Sequence, residues 1–255
     1  MTIAATETAA RYLIAARLSG RPGERLPESC RPTDVESALA IQRRVGALLD
    51  LAIGGWKCSV PSAERPVATA PIYAPNIIAT SPCPILPIGG RARIEPEVAF
   101  VIGHDLPRRE APYSEADVRA AIRSPHLVLE LIGARYADPA AVSYPELLAD
   151  GIANQGLFVG PAVLDALDRP LGAIPIAIDA AGRSLHAVQG KHPDGHPLKP
   201  LVWLVNFLAQ RGEGLTEGQI VTTGSYCGVV DVPLDVSLSV GFGEFGALEL
   251  RFRAL

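Results

Sequence analysis

The sequence predicts an α+β protein in which a small helical N-terminal portion precedes a larger, strand-rich body. Three observations carry that prediction. Helical periodicity dominates the first fifty residues, two apolar runs in the middle of the chain each carry glutamate in a strand pattern, and short strand-like runs prevail from Gly156 onward. The 255 residues are enough for one large domain or two small ones with a real core. The expected division is a helical portion over residues 1–54 and a β-rich body over 55–255.

In the first segment, Tyr12, Leu13, Ala16 and Leu18 fall on one helical face, and Gly20 ends it. After a proline-rich connection, Thr33 and Glu36 form a capping-box pattern ahead of Val35, Leu39, Ile41, Val45, Leu48 and Leu49, with Gly54-Gly55 as the stop. The prolines between Ala63 and Pro87 predict extended loop or cover. Ser114 with Asp117 predicts a helix cap before Val118, Ala121 and Ile122, with Ser124-Pro125 ending that helix. Ser143 and Glu146 flank Pro145 at another helix start. The runs 157–160, 174–178 and 184–188 read as strands, the last two joined by a hairpin turn over 179–183. Leu201, Leu204, Val205 and Leu208 are spaced for the buried face of one more helix, with Pro200 in its first turn and Gly212 beyond its end. Strands are then expected over 220–223, 228–232, 236–242 and 247–252.

Composition narrows the function classes. Apolar residues make up 48%, charged residues of both signs 20%, and the net charge is only -4. Scattered Lys and Arg argue against nucleic acid as the main partner, whereas a small anionic substrate needs only a local positive site. No apolar run is long enough to span a membrane, and Glu7, Arg11 and Arg17 interrupt the N-terminal apolar residues where a signal peptide would be uncharged. Cys30, Cys58, Cys83 and Cys227 form no CxxC pair, so a reduced, cytoplasmic setting is expected. There is no GxSxG elbow, glycine-rich phosphate loop or GxGxxG fingerprint, and the five histidines lack the spacing of a helical zinc site. His192, beside Lys191, reads as a residue of a solvated turn rather than a proton donor near an open loop, and His104-Asp105 as a turn rather than a dyad.

The chemistry concentrates in Arg93 to Gly103. Alternate side chains of a strand share a face, so Glu95 and Glu97 point the same way, and Pro96 turns to the other face at a strand start or edge. Such a pair either faces solvent or shares a hard divalent cation. In the second run, Leu127 to Ile132, Glu130 alone interrupts the apolar sequence, and a buried carboxylate needs a partner. Arg135 is one candidate; a metal shared with Glu95 and Glu97 is the other.

The segments RIEPEVAFVIGHDL (93–106), LVLELIGARY (127–136) and IVTTGSYCG (220–228), in that order, resemble the fumarylacetoacetate hydrolase superfamily. Within it, the likeness is to the branch of 2-keto-4-pentenoate hydratases and 4-oxalocrotonate decarboxylases, and it runs from Gly55-Trp56-Lys57 to the C-terminal strands. The resemblance implies a mixed β-roll or distorted β-barrel with peripheral helices. It also implies Mg2+ or Mn2+ on Glu95, Glu97 and Glu130, with Lys57 facing the active site as a catalytic group that meets an anionic oxygen. Gly224 and Ser225, in the turn after Thr223, are the implied substrate contacts; the family's Asp-Asn run reads Asp150-Gly151 here, which leaves Asn154 as the candidate contact of that segment.

The implied substrate is a small anionic 2-keto acid of aromatic or related catabolism, handled by a hydratase, or alternatively a decarboxylase, that is at least a dimer. Two acidic positions common in such hydratases are Ile72 and Gly133 here, which weakens the hydratase reading specifically. An acylpyruvate hydrolase would need a base on an N-terminal lid, and no histidine precedes His104. A degenerate member acting as a binding or assembly partner is the non-enzyme alternative, favoured if Glu130 pairs with Arg135 and binds no cation.

Overall fold

The computed structural model describes residues 1–255. Helix α1 spans Ile3–Ser19 and ends at Gly20, whose φ of 63° closes the helix in the left-handed conformation. Of the four residues expected on its inner face, Leu13 and Ala16 are buried, but Leu18 is exposed. Helix α2 spans Val35–Leu49. Its N-cap is Asp34, one residue after the expected Thr33, because the Asp34 carboxylate takes the Ser37 N–H and the Ser37 hydroxyl completes the box. Asp50, in the left-handed conformation, ends α2 before the glycine pair.

Gly54-Gly55 belongs instead to strand β1 (Ile53–Ser59). A Cβ on Gly55 would lie 2.2 Å from the Ile220 carbonyl oxygen, so this glycine permits close strand approach. The proline-rich stretch is more regular than expected. It holds β2 (Ala68–Tyr73), β3 (Ile77–Ile78) and β4 (Cys83–Ile85).

The two glutamate strands are long, β5 (Arg91–Ile102) and β6 (Ile122–Ile132), with helix α3 (Glu115–Ala120) between them. Ser114 and Asp117 do form the α3 capping box. Ser124-Pro125, however, lies inside β6 rather than ending the helix. Helix α4 (Tyr144–Ala149) starts at Ser143, with Glu146 completing the box, and leads to β7 (Asn154–Ala162). The hairpin β8 (Ala173–Ala180) and β9 (Arg183–Lys191) follows, then helix α5 (Leu198–Gln210). The last strands are β10 (Ile220–Thr222), β11 (Val230–Pro233), β12 (Leu238–Phe242), β13 (Ala247–Leu250) and β14 (Phe252–Ala254).

The main sheet has the order β2-β1-β10-β5-β6-β7-β3, with β11 also pairing β5. A second sheet, β13-β12-β8-β9, and the short pair β14-β4 complete a mixed β-roll with peripheral helices. The main core lies between the sheets and α5 and includes Phe100, Leu129, Ile176, Leu201, Phe242 and Phe252. A second core joins α1 and α2 to Tyr73, Tyr136 and Leu148. No helix is long and apolar enough to cross a membrane.

Candidate active site

Adjacent strands of the main sheet bring four of the sequence-identified residues together. Glu95 and Glu97 alternate on β5, and register sets Glu95 directly opposite Glu130 of β6. Lys57 projects from β1, which is two strands from β5 because β10 lies between them. One oxygen from each of the three glutamates lies within 4.8 Å of the others. Glu97 and Glu130 are buried, and Glu95 is half-buried.

Glu130 does not pair with Arg135. Its Oε1 accepts from Lys57 Nζ at 2.5 Å and from Asn154 Nδ2 at 2.9 Å. Arg135 is committed elsewhere, in a buried ion pair with Asp150 supplemented by the Gly133 and Asn154 carbonyls. Glu97 Oε2 accepts from the Thr222 hydroxyl and, at 2.8 Å, from the Gly224 N–H. The Gly224 donor expected to face an anion is therefore aimed at a glutamate. The Ser225 hydroxyl is likewise spent, on the Gly228 carbonyl at 3.0 Å. Asn154, almost wholly buried, holds Glu130 in place. Gly224 and Ser225 still line the cavity that contains the glutamates, a space of about 660 Å³.

Burial pushes the Glu95 carboxyl up to about 7; Glu130 adds repulsion that Lys57 and Arg65 only partly offset. Glu97 is pushed up to about 8, by burial first and then by the charges of Glu130 and Glu95, against the hydrogen bonds from Thr222 and Gly224. For Lys57, burial alone would lower the ammonium pKa, but Glu130 and Glu95 outweigh it and hold it above its ordinary value. The pocket thus concentrates more negative charge than its own cations neutralise.

The fit to a divalent cation can be judged from the oxygens left over. Glu97 Oε1, Glu130 Oε2 and both oxygens of Glu95 accept no hydrogen bond, while the partners of the remaining oxygens fix the carboxylates in place. Three convergent hard oxygens in a cavity with room for water or substrate suit an oxygen-preferring ion.

Sequence reasoning missed three groups here. Thr222 ends a three-residue strand that is otherwise apolar. Arg65 and Asp194 line the cavity from loops whose prolines and glycines announce turns and nothing about direction. His192, expected in a solvated turn, is buried: its ring stands edge-on to Tyr226, and desolvation lowers its pKa to about 4. Neither Ile72 nor Gly133 lines the cavity. Ile72 packs with Ala99, Val128, Leu157 and Ile220, and a side chain at 133 would collide with Gln155.

In fold the chain is similar to a putative fumarylacetoacetate hydrolase family protein from Yersinia pestis CO92, at TM-score 0.53 and 17% identity over 80% of this chain and 94% of that one. No family model matches the chain. The chain is a homologue of proteins named 2-keto-4-pentenoate hydratase and 4-oxalocrotonate decarboxylase. It is 27% identical to the 2-keto-4-pentenoate hydratase of Paraburkholderia xenovorans (strain LB400), over 92% of this chain and 91% of that protein. It is 25% identical to a 4-oxalocrotonate decarboxylase of Pseudomonas sp., but over 61% of this chain and 59% of that protein. Its fold matches 4-oxalocrotonate decarboxylase from Pseudomonas putida G7, solved with calcium and acetate, at TM-score 0.79 and 20% identity, over 99% of each chain. A more distant fold match is fumarylpyruvate hydrolase from Pseudomonas aeruginosa in complex with Mn2+ and pyruvate. There the TM-score is 0.55 at 14% identity, over 78% of this chain and 89% of that one.

Proposed function

We propose that this chain is a divalent-metal-dependent lyase that acts on a small 2-keto acid through its enol or enolate. The observation that carries the reading is the convergence of Glu95, Glu97 and Glu130, each with a free oxygen, beside Lys57 in one cavity. Glu95, Glu97 and Glu130 would hold Mg2+ or Mn2+, and calcium or manganese in the fold relatives is in keeping with such an ion. When bound, the ion supplies Lewis-acid stabilisation of negative charge developing on the keto oxygen.

The chain's own residues would do the rest. Lys57 and Arg65 are the cations of the cavity and would orient the substrate carboxylate. Asn154 and the Gly224 N–H hold Glu130 and Glu97 at fixed angles, so the carboxylates need not reorganise during turnover. Asp194 lines the same space and accepts the Val60 N–H at 3.1 Å. It would be the group that exchanges a proton with substrate carbon, since positions 72 and 133 hold no acid and do not line the cavity.

Hydration of a 2-hydroxy-2,4-dienoate is the preferred reaction, supported by the hydratase likeness over nearly the full length. Decarboxylation of a vinylogous keto diacid is the second reading, favoured by the fold match across 99% of the chain. Assembly into at least a dimer belongs to the same proposal. The test is mass analysis of products from chelated and Mg2+-loaded protein given a 2-hydroxydienoate and, separately, a 2-keto-3-enedioate. Metal-dependent gain of water identifies the hydratase, and loss of carbon dioxide the decarboxylase. Two unchanged substrates, with no calorimetric cation binding that Glu130→Ala removes, would overturn the reading.

A further inference from the structure

A second cavity, of about 580 Å³, lies on the opposite face of β1 from the glutamates, where α2 and α5 cover the β1-β2 edge. Neighbouring side chains of a strand point to opposite faces, so Lys57 enters the acidic cavity while Trp56 lines this one. Its walls are apolar, with Leu39, Leu51, Pro71, Tyr73, Phe207 and Leu208 forming much of the surface.

Two features of this cavity indicate what it would take. The Trp56 side chain is buried, yet its indole N–H has no hydrogen-bond partner, an arrangement that burial normally penalises. The charged groups around the opening are balanced and mostly engaged: Arg43 lies 3.9 Å from Glu213, and Arg211 pairs with Glu36 while its guanidinium sits 5.0 Å from the centre of the Phe207 ring. Asp50 adds a carboxylate. The C-terminal ends of α2 and α5 both meet here, and such ends carry partial negative charge. Each arginine at the opening has a carboxylate beside it, so an anion gains little there, whereas a neutral apolar molecule with one acceptor oxygen would satisfy the indole.

We propose that this cavity is a binding site for an uncharged, largely apolar ring compound bearing a hydrogen-bond-accepting oxygen, such as an aromatic ketone, and that a small rotation of the Trp56 ring presents its N–H to that oxygen. The site is independent of the chemistry assigned to the glutamates. It abuts that chemistry, however, since Thr69 lines the apolar cavity and its hydroxyl donates to the Lys57 carbonyl at 2.9 Å.

The experiment is a titration of the full-length, 15N-labelled protein with acetophenone, toluene and benzoate, following the two tryptophan indole resonances by NMR. Acetophenone should shift the Trp56 indole N–H saturably and the Trp203 indole little, because Trp203 does not line the cavity. Toluene, which lacks the acceptor, should bind about tenfold more weakly, as the loss of one hydrogen bond implies. Benzoate should also bind at least about tenfold more weakly than acetophenone, because its charge must be desolvated among paired ions and helix C-termini.

Ala47→Trp, at an exposed position on the lining, should block the shift without disturbing the core, and Trp56→Phe, titrated by calorimetry because the indole probe is gone, should reduce acetophenone affinity to that of toluene. The proposal fails if acetophenone gives no saturable shift, if toluene or benzoate binds as tightly, or if Ala47→Trp leaves binding intact. It also fails if Glu130→Ala abolishes binding, which would place the ligand among the glutamates. A Trp56 shift that follows protein concentration without ligand would assign the cavity to a second copy of the chain and overturn it equally.

Discussion

Raising the pH of chelated protein from 6.5 to 8 should destabilise it, contrary to the usual flat behaviour of a protein in that range. Glu95 and Glu97 are raised from 4.5 to about 7 and about 8, so the folded chain holds protons that the unfolded chain has already released. For an acid raised on folding, stability falls as pH climbs from the unfolded pKa to the folded one. Over this interval the two groups together cost roughly 2 kcal/mol, discounted because the same repulsion enters both. At about 2–4 °C per kcal/mol for a chain of this size, the melting temperature should drop by roughly 4–8 °C.

Other groups leave the window clear. Lys57, held above its ordinary 10.5, stays charged throughout, and His192, lowered to about 4, titrates below it. Calorimetric melting at several pH values in chelator provides the measurement, with Glu97→Gln as the control. The variant loses the Glu97 contribution, the larger of the two over this interval, and should show less than half the wild-type slope. Saturating Mg2+ should raise the melting temperature more at pH 8 than at pH 6.5, since ion binding requires the deprotonated carboxylates. A wild-type melting temperature that is flat or rises between pH 6.5 and 8, or a Glu97→Gln slope equal to wild type, would refute the electrostatic argument.

Three further outcomes are expected. Arg135→Met should cost about 3–5 kcal/mol in urea unfolding, because it leaves Asp150 charged, buried and unpaired; a loss below 1 kcal/mol would mean that water replaces the guanidinium. Lys57→Ala should lower kcat/KM on the proposed substrate by about 100-fold while the fold is kept, the scale of losing a charge-assisted contact in a dry site, and unchanged steady-state kinetics would remove Lys57 from the site. On the acid side, burial of neutral His192 should offset part of the stability that Glu95 and Glu97 gain as pH falls from 6.5 toward 4, by about 3 kcal/mol, since the unfolded chain takes up the imidazole proton first. His192→Gln should therefore gain more stability than wild type over that range, and an unchanged pH profile would show that His192 is solvated after all.

Local periodicity was enough to read most elements and half of the site. Alternation alone put Glu95 and Glu97 on one face, and the cost of burying Glu130 among leucines demanded a partner. Which partner it takes depends on strand order. Arg135 is five residues away but turns to Asp150, whereas Lys57 is 73 residues away and arrives because β10 bridges β1 and β5. The same limit explains Gly54-Gly55: a glycine pair after a helical run reads as a stop until the Ile220 carbonyl shows why no side chain fits at 55. His192 was misread because a Lys-His-Pro-Asp-Gly run carries every mark of a solvated turn. Only the packing of Tyr226 against its ring reveals the burial.

Pro96 ties these observations into one cause. It was expected at a strand start or edge but lies in the middle of β5, where a missing N–H would ordinarily break the ladder. The sheet is already broken there. Along one flank of β5, β10 pairs with residues 99–101 and β11 with residues 91–94, so residues 95–98 have no strand beside them. The chain between those two strands crosses the gap, and within it the Tyr226 N–H bonds the Pro96 carbonyl while the Gly224 N–H reaches Glu97. A continuous strand on that flank would occupy the gap with ladder hydrogen bonds and deny Glu97 its Gly224 donor. The proline that sequence rules assign to an edge thus sits at an internal edge, and the cavity that holds the three carboxylates opens beside it.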